Sequence, residues 1–133
     1  MPVRSFFYRE TRGIRITVRP RYLGHQSLPD AGRYVFAYNV RIENVAARAV
    51  TLLSRRWRIY DRIGEELEVM GDGVVGEQPT IQPGAVHEYS SFCVLQGPDG
   101  AMEGSYHMVY ADGTGFDALI PWFALHAGTT DEL

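Results

Sequence analysis

The glycine-rich stretch at residues 71–84 is the part of this chain whose residue types most suggest chemistry. Its glycines at positions 71, 73 and 76 have the spacing of loops that cradle the pyrophosphate of a dinucleotide. Such a loop needs a helix after it, whose N-terminus faces the phosphates. Pro79 and Pro83 follow instead, and proline disfavours that helix. The sequence therefore argues against a dinucleotide-binding fold.

A looser phosphate site remains open in the same stretch. Consecutive backbone N–H groups of a glycine-rich loop can form a nest that binds phosphate without a helix. The ligand would be pyrophosphate, a nucleotide or a dinucleoside polyphosphate, although the nearby carboxylates oppose an anion. The candidate ligand-binding residues are Gly71, Gly73, Val74, Gly76 and Glu77. The favoured alternative is that the glycines only allow a tight crossover loop.

The arginines form the second candidate site. All thirteen basic residues are arginines within residues 1–62, which hold four acidic residues, whereas residues 63–133 hold twelve acidic residues and no Lys or Arg. Guanidinium groups bind carboxylates and phosphates through paired hydrogen bonds. The favoured interpretation is ion pairing between the two halves of the chain, and the functional alternative is a surface for an unknown acidic protein partner. The candidate partner-binding residues are Arg15, Arg19, Arg56 and Arg58.

Other chemistries have weaker support. The four histidines form no closely spaced ligand pair and Cys93 is the single cysteine, so we expect no metal site and no cofactor. No Gly-x-Ser-x-Gly nucleophile motif is present, so we assign no catalytic residue and expect no enzyme activity. The net charge of −3 and the lack of a basic stacking motif argue against nucleic acid.

Alternation of apolar and polar residues indicates the elements that must position these groups. The pattern has a period of two residues over several segments, including 14–18, 34–42, 86–95 and 102–110, and turn residues separate the segments. We predict an all-β fold, a seven-stranded antiparallel β-sandwich, with a small barrel as the alternative. Residues 116–125 are apolar on both parities and are expected to form a central strand, with a bulge or an end at Pro121. The aromatic residues are expected mainly in the core.

The length of 133 residues fits one domain spanning 1–133, with a core at about residues 12–126. No apolar run predicts a signal peptide or a membrane span, and a single cysteine cannot form an internal disulfide. We therefore expect a cytoplasmic protein that does not enter a membrane. Edge strands would allow a monomer or a weak homodimer.

Several blocks of sequence together resemble the ApaG family. The most specific is Val-Val-Gly-Glu-Gln-Pro at residues 74–79, supported by Leu-Ser-Arg-Arg-Trp-Arg at 53–58 and Ile-Pro-Trp-Phe-Ala-Leu at 120–125. The likeness runs over about residues 12–126. Arg56 stands where the family often has His, and Tyr60 where it often has Thr.

The resemblance implies a fibronectin type III-like or immunoglobulin-like sandwich in a bacterial family without an established enzymatic activity. It also implies an indirect link to cobalt resistance and magnesium efflux. We therefore expect a non-enzymatic protein-interaction module. The alternative is a phosphate or dinucleoside polyphosphate sensor at Gly71–Glu77, and a cluster of His, Ser and carboxylate groups would favour a hydrolase.

Overall fold

The computed structural model describes residues 6–128, which fold into two facing antiparallel sheets. The strands in these residues are β1 (Phe7–Thr11), β2 (Ile14–Tyr22), β3 (Tyr34–Asn44), β4 (Val50–Asp61), β5 (Leu67–Asp72), β6 (Thr80–Ile81), β7 (Val86–Leu95), β8 (Asp99–Val109) and β9 (Gly115–His126). Two 3₁₀ turns of three residues each lie between β2 and β3. No helix within residues 6–128 has the length and apolar character needed to cross a membrane.

The order of strands in the first sheet is β1-β2-β3-β7. The second sheet has the order β5-β4-β8-β9, with β6 paired to the beginning of β4. The arginine-rich strand β4 thus lies among strands from the acidic half of the chain, and the acidic half contributes β7 to the first sheet. The two oppositely charged halves are therefore interleaved, which places many arginines beside carboxylates.

Alternation along the strands decides which side chains form the core. Ile14, Ile16 and Val18 of β2 are fully buried, while the arginines between and after them face solvent. On β4, Trp57 is buried between two exposed arginines and lies edge-on to the ring of Phe123 on β9, with the centroids 6.0 Å apart. Burying apolar side chains between the sheets is the main stabilising contribution in such a sandwich.

The two sides of the sandwich, where the edges of the sheets meet, differ from each other. On one side β9 packs against β1, where the ring of Phe7 lies 6.2 Å from that of Phe123 and 6.3 Å from that of Trp122. The hydroxyl of Thr11 there accepts a hydrogen bond from the N–H of Leu119 at 3.1 Å. The edges on the other side are β5 and β7, and neither has a second paired neighbour within residues 6–128.

The predicted all-β antiparallel sandwich is confirmed, with nine strands in the described residues instead of seven. The sequence prediction missed β6, which has only two residues, and β1, which lies before position 12. Phe7 of β1 is buried and belongs to the core.

One strand lies elsewhere than expected. Residues 116–125 belong to β9, which is an edge strand and not a central one. Its apolar residues fall on both parities because the buried positions change from even numbers (Phe116, Ala118 and Ile120) to odd numbers (Phe123 and Leu125) at an irregularity in the strand. The predicted irregularity at Pro121 is confirmed, since Pro121 and Trp122 together oppose Glu103 in a bulge. Proline has no N–H to donate, and an edge strand tolerates that loss.

Candidate functional site

The glycine-rich loop after β5 folds back on itself as a tight turn. The N–H of Val74 donates to the carbonyl oxygen of Glu77 at 2.8 Å, and the N–H of Glu77 donates to that of Val74 at 3.0 Å. Val75 and Gly76 between them have φ values of 47° and 79°. Positive φ at both central residues is the geometry of a type I′ turn. The side chain of Val74 is buried in the core and fixes the turn to the sandwich.

Several backbone groups of this loop already have partners. The N–H of Gly73 donates to the carbonyl oxygen of Leu53 at 2.8 Å, in addition to the bonds within the turn. Nη1 of Arg55 donates to the carbonyl oxygens of Asp72 at 2.8 Å and Gly73 at 2.9 Å. Gly71 leaves room for this guanidinium, because a Cβ there would lie 2.8 Å from Nη2. These contacts favour the structural interpretation of the glycines, and phosphate binding stays a prediction.

A polar layer lies beneath the loop. The Glu77 carboxylate is mostly exposed, and its Oε2 lies 3.9 Å from the buried Nε2 of His87, which has no hydrogen-bond partner within residues 6–128. Deeper in the sandwich the hydroxyls of Tyr89 and Tyr106 share a hydrogen bond. Burial raises the pKa of both tyrosines. Both hydroxyls therefore remain protonated near neutral pH.

Two of the predicted partner-binding arginines are engaged on the second sheet. Nη2 of Arg56 lies 3.1 Å from Oε1 of Glu68, and Nε of Arg58 lies 3.6 Å from Oε2 of the same carboxylate. Both side chains are about half exposed. Arg56 and Arg58 therefore form ion pairs with a carboxylate from the acidic half of the chain, as the ion-pair interpretation of the sequence predicts.

Arg15 and Arg19 lie on the first sheet, so the four predicted arginines occupy opposite outer faces of the sandwich. Nε of Arg15 lies 2.7 Å from Oε1 of Glu10, and this contact lowers the pKa of that carboxyl. Arg19 differs, because its guanidinium carbon lies 5.6 Å from the ring of Phe6 and it forms no ion pair with residues 6–128. The four arginines therefore do not form one surface.

Arg19 borders a groove of about 450 Å³ across the outer face of the first sheet. The pairing register builds the groove from two rows of neighbouring residues on β2, β3 and β7. The first row is Arg21, Ala37 and Phe92, and the second is Arg19, Asn39 and Ser90. Small residues on the central strand form the floor, and longer side chains on the flanking strands form the walls. We call this site the Arg19–Phe92 groove.

The chemistry of the Arg19–Phe92 groove is cationic on one wall and aromatic on the other. Among the residues that the structure describes, no carboxylate lines it. Within residues 6–128, Arg21 also forms no ion pair. Phe92 is 64% exposed. Two cations facing an exposed ring suit an acidic segment that carries an apolar or aromatic side chain.

Sequence reasoning missed two members of the groove. Phe92 was expected in the core, but it shares its parity on β7 with Glu88 and Ser90, and that parity faces solvent. The polar neighbours were the signal that could have placed it outside. Arg21 continues the alternation of the outward arginines of β2 beyond Pro20. Trp122 was also expected in the core and is 52% exposed, because the bulge in β9 turns it outward.

A second groove, of about 430 Å³, crosses the outer face of the second sheet. There Nδ1 of His107 lies 2.9 Å from Oδ1 of Asp117, and Ser54 and Ser105 are neighbours. The Asp117 carboxylate can fix the orientation of the His107 imidazole through this contact. Neither serine hydroxyl forms a hydrogen bond with His107 in the described part of the chain, so the side chains do not form the bonded nucleophile–base pair of a hydrolase.

The described residues contain neither a cluster of metal ligands nor an exposed thiol. Across residues 6–128, no three His, Cys, Asp or Glu side chains converge in a group that could hold a metal ion. Cys93 is buried, and burial raises the pKa of its thiol to about 12. It behaves as a small apolar residue of the core at neutral pH.

Comparison with known proteins identifies the family. The model of the ApaG domain matches residues 24–110. A protein named ApaG from Methylobacterium sp. (strain 4-46) is 52% identical over 116 residues, which cover 87% of this chain and 89% of the relative. A protein named ApaG from Rhodospirillum centenum is 51% identical over 115 residues, covering 86% and 88%.

A solved structure agrees with the sequence matches. The crystal structure of the putative ApaA protein from Bordetella pertussis superposes with a TM-score of 0.83 at 39% identity, covering 99% of this chain and 100% of that one. Its likeness extends to the whole sandwich, including the strands that carry both outer grooves. The family model and these relatives show that this chain belongs to the ApaG domain family.

Proposed function

We propose that this chain is a non-enzymatic binding domain that recognises an acidic segment of a partner protein in the Arg19–Phe92 groove. The observation that carries the proposal is the pair of exposed arginines, Arg19 and Arg21, facing an exposed Phe92, with no carboxylate of residues 6–128 between them. Aromatic residues and arginines are enriched where proteins bind each other. Asp or Glu side chains of the partner would bind the guanidinium groups, and an apolar side chain would pack against Phe92.

The position of the groove supports this assignment over the other arginine-bearing face. Arg56 and Arg58 already share Glu68, so a partner carboxylate would have to compete with it. Arg19 and Arg21 need no such exchange. The groove also lies on paired strands, which hold its walls in place before binding and lower the entropic cost of association. The link to cobalt resistance and magnesium efflux implied by the family resemblance would then act through the partner.

The experiment is a selection of peptides from a displayed random library, followed by calorimetric titration of the selected peptides. We expect sequences with Asp or Glu beside an aromatic residue, and affinities that weaken as salt is added. Arg21→Glu should weaken binding by about tenfold or more, since it replaces an attractive charge with a repulsive one.

Arg58→Glu is the matched control because it makes the same charge change on the opposite face. It should leave the affinity for the selected peptides unchanged. Selection of peptides without acidic residues, or equal binding by Arg21→Glu and the unaltered protein, would contradict the proposal. An effect of Arg58→Glu alone would move the site to the second sheet.

A further inference from the structure

Strand β5 exposes a free edge of the second sheet. It pairs with β4 along one edge, and no strand within residues 6–128 pairs with the other. An unpaired edge presents N–H and C=O groups that can extend the sheet by a further strand. Strand β7 of the first sheet is also an edge on this side, so the sandwich is open between β5 and β7.

Apolar side chains at this edge are left uncovered. Leu67 and Val69 pair across the sheet with Ile59 and Trp57, so they point to the same face as the core. Trp57 is buried, yet Leu67 is 55% exposed and Val69 is 40% exposed. The first sheet ends at β7 and does not reach over them. The inner face of β5 is therefore an apolar surface that the fold covers only in part.

A groove runs along this surface. It has a volume of about 470 Å³, and its apolar lining residues are Ile59, Ile63, Leu67, Val94 and Leu95. The Asp61 carboxylate accepts hydrogen bonds from the N–H groups of Gln96 at 2.6 Å and Gly97 at 3.2 Å. These bonds connect the end of β4 to the turn after β7. The two sides of the groove are thus fixed relative to each other at this end.

The charges around β5 decide which occupant fits. Glu65 and Glu66 precede the strand and Asp72 ends it, and none of the three forms an ion pair with residues 6–128. Glu68 between them is already paired with arginines of β4. A second copy of this chain, paired edge to edge in antiparallel register, would bring these carboxylates together at a cost. Basic groups at both ends of an added strand would be attracted.

We infer that the free edge of β5 is a strand-addition site for an extended segment of a partner protein, with alternating apolar side chains and Lys or Arg near its ends. The backbone of the segment would bond to the β5 edge. Its apolar side chains would enter the groove beside Leu67, and its basic side chains would contact Glu66 and Asp72. This mode of recognition combines main-chain bonds with alternate side-chain contacts. The site is separate from the Arg19–Phe92 groove and does not depend on its function.

The test uses a synthetic peptide of about six residues, the usual length of a strand, that alternates valine with lysine. Two control peptides carry glutamate in place of lysine, or N-methyl groups on alternate residues that remove backbone donors. NMR titration and amide hydrogen exchange of the protein provide the readouts. We expect saturable shifts and slowed exchange at residues 67–72 with the first peptide. Both controls should bind at least about tenfold more weakly.

Variants of the protein complete the test. Leu67→Glu changes a mostly exposed side chain and should abolish the response, and Glu66→Lys should weaken it about tenfold. Glu88→Lys makes the same charge change on the other sheet and should have no effect, as should Arg21→Glu. The inference is overturned if shifts lie away from β5 or if N-methylation does not weaken binding. Slowed exchange at β5 on raising protein concentration alone would show a second copy there and would also overturn it.

Discussion

Nη1 of Arg55 lies 2.9 Å from the carbonyl oxygen of Gly73 and donates a hydrogen bond to it. The same atom donates to the carbonyl oxygen of Asp72 at 2.8 Å. Strand β4 thereby holds the start of the glycine-rich loop through one side chain. The most distinctive block of the sequence begins at that point, which gives its glycines a role in packing against Arg55 and in turning the chain.

Replacement of Arg55 tests this anchor. Arg55→Met removes charged donors from two carbonyl groups, and we expect it to lower the free energy of unfolding by about 1.5–3 kcal/mol. Arg62→Met is the matched control, because Arg62 is 72% exposed and pairs with Asp99 at the surface. It should cost at most about 1 kcal/mol. Urea denaturation followed by tryptophan fluorescence measures both values, and equal losses would show that Arg55 does not anchor the loop.

Two glycines of the loop should respond differently to alanine. Gly73 and Gly76 both have positive φ, at 59° and 79°. A Cβ on Gly76 meets no atom of residues 6–128 within 4 Å, so Gly76→Ala should cost only the backbone strain of about 1–2 kcal/mol. A Cβ on Gly73 would lie 2.1 Å from the carbonyl oxygen of Glu77, and the resulting shift should add about 1–3 kcal/mol. Thermal or urea unfolding compares the two, and equal costs would contradict the turn geometry described for residues 74–77.

The fold could be predicted from sequence because period-two alternation reports directly which face of a strand is buried. Ile14, Ile16 and Val18 are an example, since these apolar members of the alternation are all fully buried. Strand order could not be predicted in this way. Whether residues 116–125 form a central or an edge strand depends on which strands pair, and a continuous apolar run is compatible with both.

The candidate sites were harder to predict because they depend on contacts between distant segments. Alternation placed Arg19 and Arg56 correctly on outer faces, but it could not show that Glu68 pairs with only one of them. The groove at Phe92 needs β2 and β7 on either side of β3. That neighbourhood brings together residues about 70 positions apart in the chain, and no local pattern in the sequence encodes it.

The buried tyrosines predict a loss of stability at alkaline pH. Burial raises the pKa of Tyr89 and Tyr106 in the folded chain, whereas an unfolded tyrosine ionises near pH 10. The folded state therefore retains protons that the unfolded state has lost. This contribution is fully present below about pH 10, and it falls as pH rises through that value.

Urea denaturation at a series of pH values measures this loss. Tyr106→Phe should reduce the fall in the free energy of unfolding above about pH 10. The ultraviolet absorbance change near pH 10 should be the same for the folded variant and the folded original protein. In urea the variant should lack the signal of one of the eight tyrosines. A smaller absorbance change in the folded variant would mean that Tyr106 ionises in the native protein.

Cys93 should be unreactive in the folded protein. Its pKa of about 12 leaves almost no thiolate at neutral pH, and the side chain is buried. We expect labelling by a disulfide reagent or iodoacetamide to be at least about a hundredfold slower in buffer than in concentrated urea, since both access and ionisation increase on unfolding. Mass spectrometry follows the reaction. Rapid labelling under native conditions would contradict the burial of this residue.

Asn44 at the end of β3 is the polar residue whose loss should matter most for the fold. It is fully buried, and its amide nitrogen donates to the carbonyl oxygens of Arg48 at 2.8 Å and Ile81 at 2.9 Å. Its side-chain oxygen accepts a bond from the N–H of Ala46 at 2.9 Å. One side chain thus connects β3, the turn before β4, and β6. Replacing it by leucine would leave three polar backbone groups without these bonds.

Substitutions at Asn44 can separate its hydrogen bonds from its volume. Asn44→Leu should cost about 3 kcal/mol, since leaving even one buried group unbonded costs about 1–3 kcal/mol. Asn39→Leu, on the half-exposed outer face, is the control and should cost less than about 1 kcal/mol.

Asn44→Asp places a carboxyl beside two carbonyl oxygens, and burial there should raise its pKa above the unfolded value of about 3.9. The folded state then binds the proton more tightly, so this variant should lose more stability at neutral pH than near pH 4. Urea denaturation at both pH values checks the result, and a pH-independent loss would mean that water reaches the carboxylate.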